Sequence, residues 1–208
     1  MKLYYFDMYG RAEPARMLLD HAKVPFEDVR FKREEWPDKK ASFEFGTVPV
    51  LEKDGKQYCQ SKSIMKYLGR TYGYYSEDPE VAYKIDSAVD GMDDLTNSYM
   101  KVRYAGEDKE AQAKAFADFM AYFDVWLGIY EKRLAANTTQ KYFVGDKLTI
   151  VDFEMVALAY SFFMNDANEG GKMMKPVAEK HEVFFKYILG LGEEFKEYLA
   201  KRPQPRAM

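Results

Sequence analysis

The stretch from Phe45 to Ile64 constrains the fold of this chain more than any other. Val48-Pro49-Val50-Leu51 is a short apolar, β-branched run and reads as a buried strand. Proline brings no N–H, so the backbone at Pro49 must be an edge, a bulge or a cis turn. Asp54-Gly55 is a strong hairpin signal, which makes Gln57-Tyr58-Cys59 the returning strand. Gln60-Ser61 then leads into Ile64, Met65, Tyr67 and Leu68 at helical spacing. A hydroxyl at a helix start caps open N–H groups, and such an end attracts a carboxylate. A free backbone edge beside the proline, close to that helix end, can hold a small peptide at both ends.

The rest of the chain builds outward from this stretch. Leu3-Tyr4-Tyr5-Phe6 is an apolar strand, and Glu13-Pro14 starts a helix with proline where its missing N–H costs little. Phe26 to Phe31 alternates as a second strand. Arg33 to Lys40, polar around Trp36, reads as an irregular segment or a short helix. A β-α-β unit followed by a proline-containing strand, a hairpin and a helix is the order of a thioredoxin-like α/β domain. Strand patterns stop near Tyr74, and everything beyond reads helical. Val81, Ile85, Ala88, Val89, Met92 and Leu95 form one helical face, and Phe116, Phe119, Met120, Phe123, Leu127, Tyr130 and Leu134 form another. Asn137 to Gln140 breaks the pattern, and Thr149-Ile150-Val151-Asp152 resembles a capping box with Asp in the usual Glu position. The expected division is an α/β domain over residues 1–75, a linker over 76–82 and an all-helical domain over 83–208, with an irregular tail from Lys201.

Composition narrows the function. With 31 Lys and Arg against 34 Asp and Glu, the net charge of -3 argues against non-specific nucleic-acid binding. No apolar run approaches the ~20 residues of a membrane span, and the N-terminus opens straight into a strand. The single Cys59 excludes an internal disulfide framework and a Cys-X-X-Cys redox pair, so a reducing cytoplasm is the simplest home. One Cys and two His give no zinc-type ligand cluster. The 12 Met and 16% aromatic content suit a packed helical core, with some share left for an adaptable apolar pocket.

Val48-Pro49, Gln60-Ser61 and the run Tyr5-Phe6-Asp7-Met8-Tyr9-Gly10-Arg11-Ala12-Glu13 together closely resemble the cytosolic glutathione transferases of the tyrosine type, nearest to the sigma class. The order of the two domains matches over essentially the whole chain. The resemblance implies a homodimer that activates the glutathione thiol with Tyr5, supported by Arg11, and adds it to apolar electrophiles. It implies that Trp36 and Lys40 hold the glycyl carboxylate and Val48, before a cis Pro49, the cysteinyl unit. Gln60 and Ser61 would take the γ-glutamyl carboxylate, and Asp94 would reach its ammonium from the partner subunit. Met8, Tyr9, Tyr99 and Tyr104 are expected around the electrophile. Taken alone, Tyr5 reads as a core aromatic and Ser61 as an ordinary cap; the combination shifts the reading to catalysis.

Asp86, Asp90, Asp93 and Asp94 crowd carboxylates on one helix, so cations must offset them. Lys84 and Lys101 are one source. No metal is required, although a divalent cation among Asp90, Asp93 and Asp94 is an alternative carried by the resemblance. Tyr9 stands where the motif often has Arg, and Thr47 where it often has Lys. A glutathione-dependent prostaglandin D isomerase and a non-catalytic, crystallin-like or ligand-carrying relative are the alternative functions.

Overall fold

The computed structural model describes residues 1–203, so the end of the expected irregular tail, 204–208, lies outside the described residues. The N-terminal part is a four-stranded sheet in the order β2-β1-β3-β4. β1 (Lys2–Phe6) pairs parallel with β2 (Glu27–Phe31) and antiparallel with β3 (Val50–Lys53). β3 returns as β4 (Lys56–Cys59) through Asp54 and Gly55, both at positive φ, 52° and 73°, as a two-residue primed hairpin turn needs. Alternation along β1 buries Leu3 and Tyr5 on one face and leaves Tyr4 and Phe6 half-buried on the other.

Helix α1 (Glu13–His21) carries Pro14 in its first turn and follows a 3-10 turn at Gly10–Ala12. The polar segment around Trp36 is a short helix, α2 (Trp36–Lys39), flanked by 3-10 turns. Trp36 stacks on Phe31 and Phe43 and meets Phe6 edge-on, covering the Tyr4/Phe6 face. The peptide Val48–Pro49 is cis and precedes β3, so these two residues stand outside the strand that the apolar run suggests. That strand lies inside the sheet, between β1 and β4. Helix α3 (Ser61–Tyr72) begins at Ser61, with Gln60 at the cap position and no side-chain cap. Ser61 is therefore the first helical residue, where its hydroxyl does not close the helix end.

Beyond Gly73 every element is helical. α4 (Pro79–Arg103) is capped by Asp78, whose carboxylate accepts from the Glu80 and Val81 N–H groups. Its first turn takes in residues 79–82 of the expected linker. α5 (Lys109–Ala135) ends before the Asn137–Gln140 break. α6 (Ile150–Ser161) is apolar on nearly all sides, and it packs against α1, α4 and α3 as the central helix. α7 (Glu169–Ala178), α8 (Glu182–Glu194) and α9 (Lys196–Lys201) close the outer side. The capping box forms as expected: Asp152 accepts from the Thr149 N–H at 2.8 Å and from its hydroxyl at 3.1 Å. Asp152 also accepts from the Phe143 N–H and the Tyr187 hydroxyl, which joins α6, α8 and the preceding loop at one buried carboxyl.

Among the described residues no helix is long and apolar enough to cross a membrane.

Candidate active site

Where the end of β1 and the start of α3 meet α4 and α6, a cavity of about 300 Å³ opens between the sheet domain and the helices. Tyr5, Met8, Gly10, Arg11, Ser61 and Lys62 line it from the first domain; Asp93, Thr96, Tyr99, Tyr104, Glu154 and Ser161 from the second. Tyr5 reaches it because the β1 alternation that buries Leu3 sends the next inward side chain to the end of the core. Only 7% of Tyr5 is exposed. Its hydroxyl oxygen accepts a hydrogen bond from the Arg11 backbone N–H at 3.1 Å. That contact fills an acceptor position and leaves the phenolic proton to donate into the cavity.

The loop carrying Arg11 is held from beneath. The Arg16 guanidinium, 2% exposed, donates to the carbonyls of Met8 and Tyr9 at 2.9 and 3.1 Å and pairs with Glu13 and Asp28. Gly10 adopts φ +47°, and a Cβ there would stand 2.7 Å from the Tyr5 hydroxyl. Only glycine satisfies both the backbone conformation and this close approach.

At the head of α3, Gln60 takes φ 70° and ψ 113°, a strained conformation for a residue with a Cβ. The strain turns the chain abruptly from β4 into α3, so that Ser61, at the positive end of the helix, lines the cavity. Lys62, the next residue, crosses to the second domain: its ammonium lies 2.9 Å from Glu154 and 3.5 Å from Asp93. Arg11 pairs with the same Asp93 at 3.5 Å. One acidic pair on α4 and α6 thus holds two cations of the first domain beside Tyr5.

These contacts settle the crowded acids. Asp93 is offset by Arg11 and Lys62, and Asp86 by Lys66 at 3.3 Å. Their cations come from the first domain, and no ion pair to Lys84 or Lys101 forms among the described residues. Asp90 and Asp94 are exposed and do not line the cavity. No group of three or more His, Cys, Asp or Glu among the described residues is arranged for a metal ion.

The other expected site residues divide. Met8, Tyr99 and Tyr104 line the cavity, Tyr99 with its ring edge-on to Phe119 and Phe162. Tyr9 does not. It is 2% exposed, its hydroxyl donates to the Pro203 carbonyl at 2.6 Å, and the Arg202 guanidinium lies 4.1 Å over its ring. Tyr9 therefore anchors the C-terminal segment to the first domain and cannot touch an electrophile. Trp36, Lys40, Val48, Pro49 and Gln60 stand outside the cavity lining. Two of them border the lining: Trp36 through Phe6, 5.4 Å away and itself in the wall, and Gln60 as the chain neighbour of Ser61. Cys59 is half-buried, and burial pushes its thiol up, which suits a structural thiol and not a nucleophile. Lys62, Glu154 and Ser161 escaped sequence reasoning. Glu154, the one charge in the apolar run from Ile150 to Ala159 besides the capping Asp152, is the available signal.

Two family models match the chain: the N-terminal domain of glutathione S-transferase over residues 1–70 and its C-terminal domain over residues 93–202. Glutathione S-transferase 1 of Ascaris suum is 32% identical over 98% of this chain and 97% of its own. The hematopoietic prostaglandin D synthase of Gallus gallus is 34% identical over 73% of this chain and 74% of its own. Among solved structures, a glutathione S-transferase of the hookworm Necator americanus, described as monomeric, superposes with a TM-score of 0.85 at 26% identity, covering 99% of this chain and 98% of that one. A thioredoxin-like sheet ending in a cavity-facing tyrosine, a cis proline before β3 and an all-helical second domain agree with both matches. The chain belongs to the glutathione S-transferase family.

Proposed function

We propose that the cavity is where the glutathione thiol, activated by Tyr5, adds to apolar electrophiles. The observation that carries the reading is the Tyr5 hydroxyl, which faces the cavity with its acceptor side engaged by the Arg11 N–H. A free thiol of pKa about 8.5 is only a few per cent ionised at neutral pH, and a donated hydrogen bond favours its charged form. Arg11 supports the same anion electrostatically. Ser61 and Gln60, at the positive end of α3, take the γ-glutamyl carboxylate. Val48 meets the cysteinyl backbone beside the cis proline, and Trp36 and Lys40 take the glycyl carboxylate. The acceptor sits against Met8, Tyr99 and Tyr104.

A homodimer fits the surface better than a monomer. Tyr122, Val125 and Ile129 form one exposed stripe on α5, and Phe45 and Tyr83 are exposed large apolar side chains as well. Burial, and then the exposed Asp94 carboxylate, raise the Tyr122 hydroxyl pKa, so Asp94 lies beside that stripe, and in a dimer it would reach toward the partner's glutathione. A reducing cytoplasm suits a chain with one thiol. The likeness to a prostaglandin D synthase supports a second reading, an isomerase that uses the same thiolate and returns it. Glutathione consumed per product formed separates the two.

Two variants test the site. Ser61→Ala removes a hydrogen bond to a charged group and should weaken glutathione binding about ten- to hundred-fold by calorimetry. Unaltered affinity would remove Ser61 from the site. Gly10→Ala places a methyl against the Tyr5 hydroxyl and should lower kcat by about a hundred-fold, as a misplacement near 1 Å does. Wild-type kcat in a folded Gly10→Ala protein would mean that the hydroxyl position is not critical.

A further inference from the structure

One polar atom in the cavity wall has no use in the reading above. Ser161 is the last residue of α6, and its side chain is 4% exposed. Its Oγ is buried and has no hydrogen-bond partner among the described residues. A serine in a helix ordinarily bonds the carbonyl four residues back; Ser161 does not. An unmade hydrogen bond at a buried hydroxyl is a standing cost to the fold.

Ser161 lies in the lining, and so do Ala157 and Leu158 of α6, Phe162 just past its end and Tyr99 of α4, an apolar wall on the acceptor side. The Thr96 hydroxyl, also in the lining, is committed to the Met92 carbonyl at 3.0 Å. The charged groups Lys62, Asp93 and Glu154 are committed to one another. Ser161 thus carries a buried hydroxyl at the cavity wall whose donor and acceptor are both unused, beside the apolar side chains of α6.

We propose that Ser161 is a specificity-determining residue, whose hydroxyl hydrogen-bonds an oxygen carried by the acceptor. This rests on the transferase reading of the same cavity and narrows its substrate class. The favoured electrophiles are apolar bodies bearing a carbonyl or hydroxyl oxygen, and pure hydrocarbon bodies are disfavoured. A site with a hydroxyl waiting for a partner discriminates against the analogue lacking one, because that analogue leaves the hydroxyl unpaired.

The test uses two non-reactive ligands of one skeleton, 4-phenylbutan-2-one and butylbenzene, bound to the full-length protein and followed by calorimetry. Ser161→Ala should weaken the ketone about five- to ten-fold and change the hydrocarbon by less than about two-fold. Ser161→Thr, which keeps the hydroxyl, should retain most of the ketone preference. The midpoint of thermal unfolding should stay level or rise in Ser161→Ala, because an unpaired buried hydroxyl is removed. Equal changes for both ligands, no change for either, or a lowered midpoint would assign the hydroxyl to packing or to water and overturn the proposal. Conjugation of 4-phenylbut-3-en-2-one by the wild type, in which the glutathione sulfur adds to the β-carbon and a proton to the α-carbon of an acceptor that keeps the carbonyl, is followed separately and reports on the transferase reading. Its absence with the ketone preference intact would overturn that reading and leave the role of Ser161 standing.

Discussion

Replacing Tyr5 with Phe should slow glutathione transfer about ten- to hundred-fold while the protein stays folded. The ring remains, so its packing beside Leu3 and its edge contact with Phe6 at 5.7 Å persist. What disappears is one hydroxyl, and with it the donor to the sulfur. A hydrogen bond to a charged group is worth about 1.5–3 kcal/mol, which converts to that rate range at 1.36 kcal/mol per factor of ten. The Arg11 N–H loses its acceptor in the same variant, so a small part of the loss would come through the loop. Steady-state kinetics at saturating glutathione separate the effects: a lowered kcat with little change in glutathione affinity marks lost thiol activation. Full activity in Tyr5→Phe would assign the chemistry elsewhere.

The second large effect concerns stability. Asp152→Ala should cost about 3–5 kcal/mol, read from urea unfolding at neutral pH. Asp152 is fully buried and accepts four hydrogen bonds, from the Phe143 N–H at 2.8 Å, the Thr149 N–H at 2.8 Å, the Thr149 hydroxyl at 3.1 Å and the Tyr187 hydroxyl at 2.7 Å. Truncation strands all four donors in the core. For a chain of this length the loss corresponds to a thermal midpoint lower by about 10 °C. Burial pushes this carboxyl from its ordinary 3.8 up to about 6, against the pull of its hydrogen bonds. The folded state therefore holds the proton more tightly than the unfolded one. The ionisable contribution of Asp152 to stability is full below about pH 4 and declines as pH rises through about 6. Asp152→Ala should lack that slope, and an identical slope in both proteins would place the titration on another group.

Much of this was legible from residue types alone. Asp54-Gly55 forces a primed hairpin turn, and the two short strands it joins follow from that. Proline at 49 signals a break in the ladder, though local sequence does not say that the strand starts only at Val50. The capping box at Thr149 and Asp152 is written in four consecutive residues. The buried stripes of α4 and α5 follow from helical period, yet Trp126, 2% exposed, falls at the edge of its stripe, where period alone does not mark it as buried. What failed was decided by tertiary contact. Tyr9 looks like a pocket aromatic after a strand, but the C-terminal segment packs on it from about 190 residues away in sequence. In sequence, Lys84 and Lys101 are the near cations for the crowded acids, but those that meet Asp86 and Asp93, namely Lys66, Lys62 and Arg11, stand on another domain. Ser61 resembles a cap in sequence, and only the positive φ at Gln60 shifts the helix start by one residue.

The most direct test of the central claim is the thiolate absorbance of bound glutathione, followed against pH in the wild type and in Tyr5→Phe. The account predicts a bound thiol pKa about one to two pH units below the free value, carried back toward it in the variant. Tight binding with no pKa change in either protein would contradict it, leaving a glutathione-binding scaffold that does not activate the thiol.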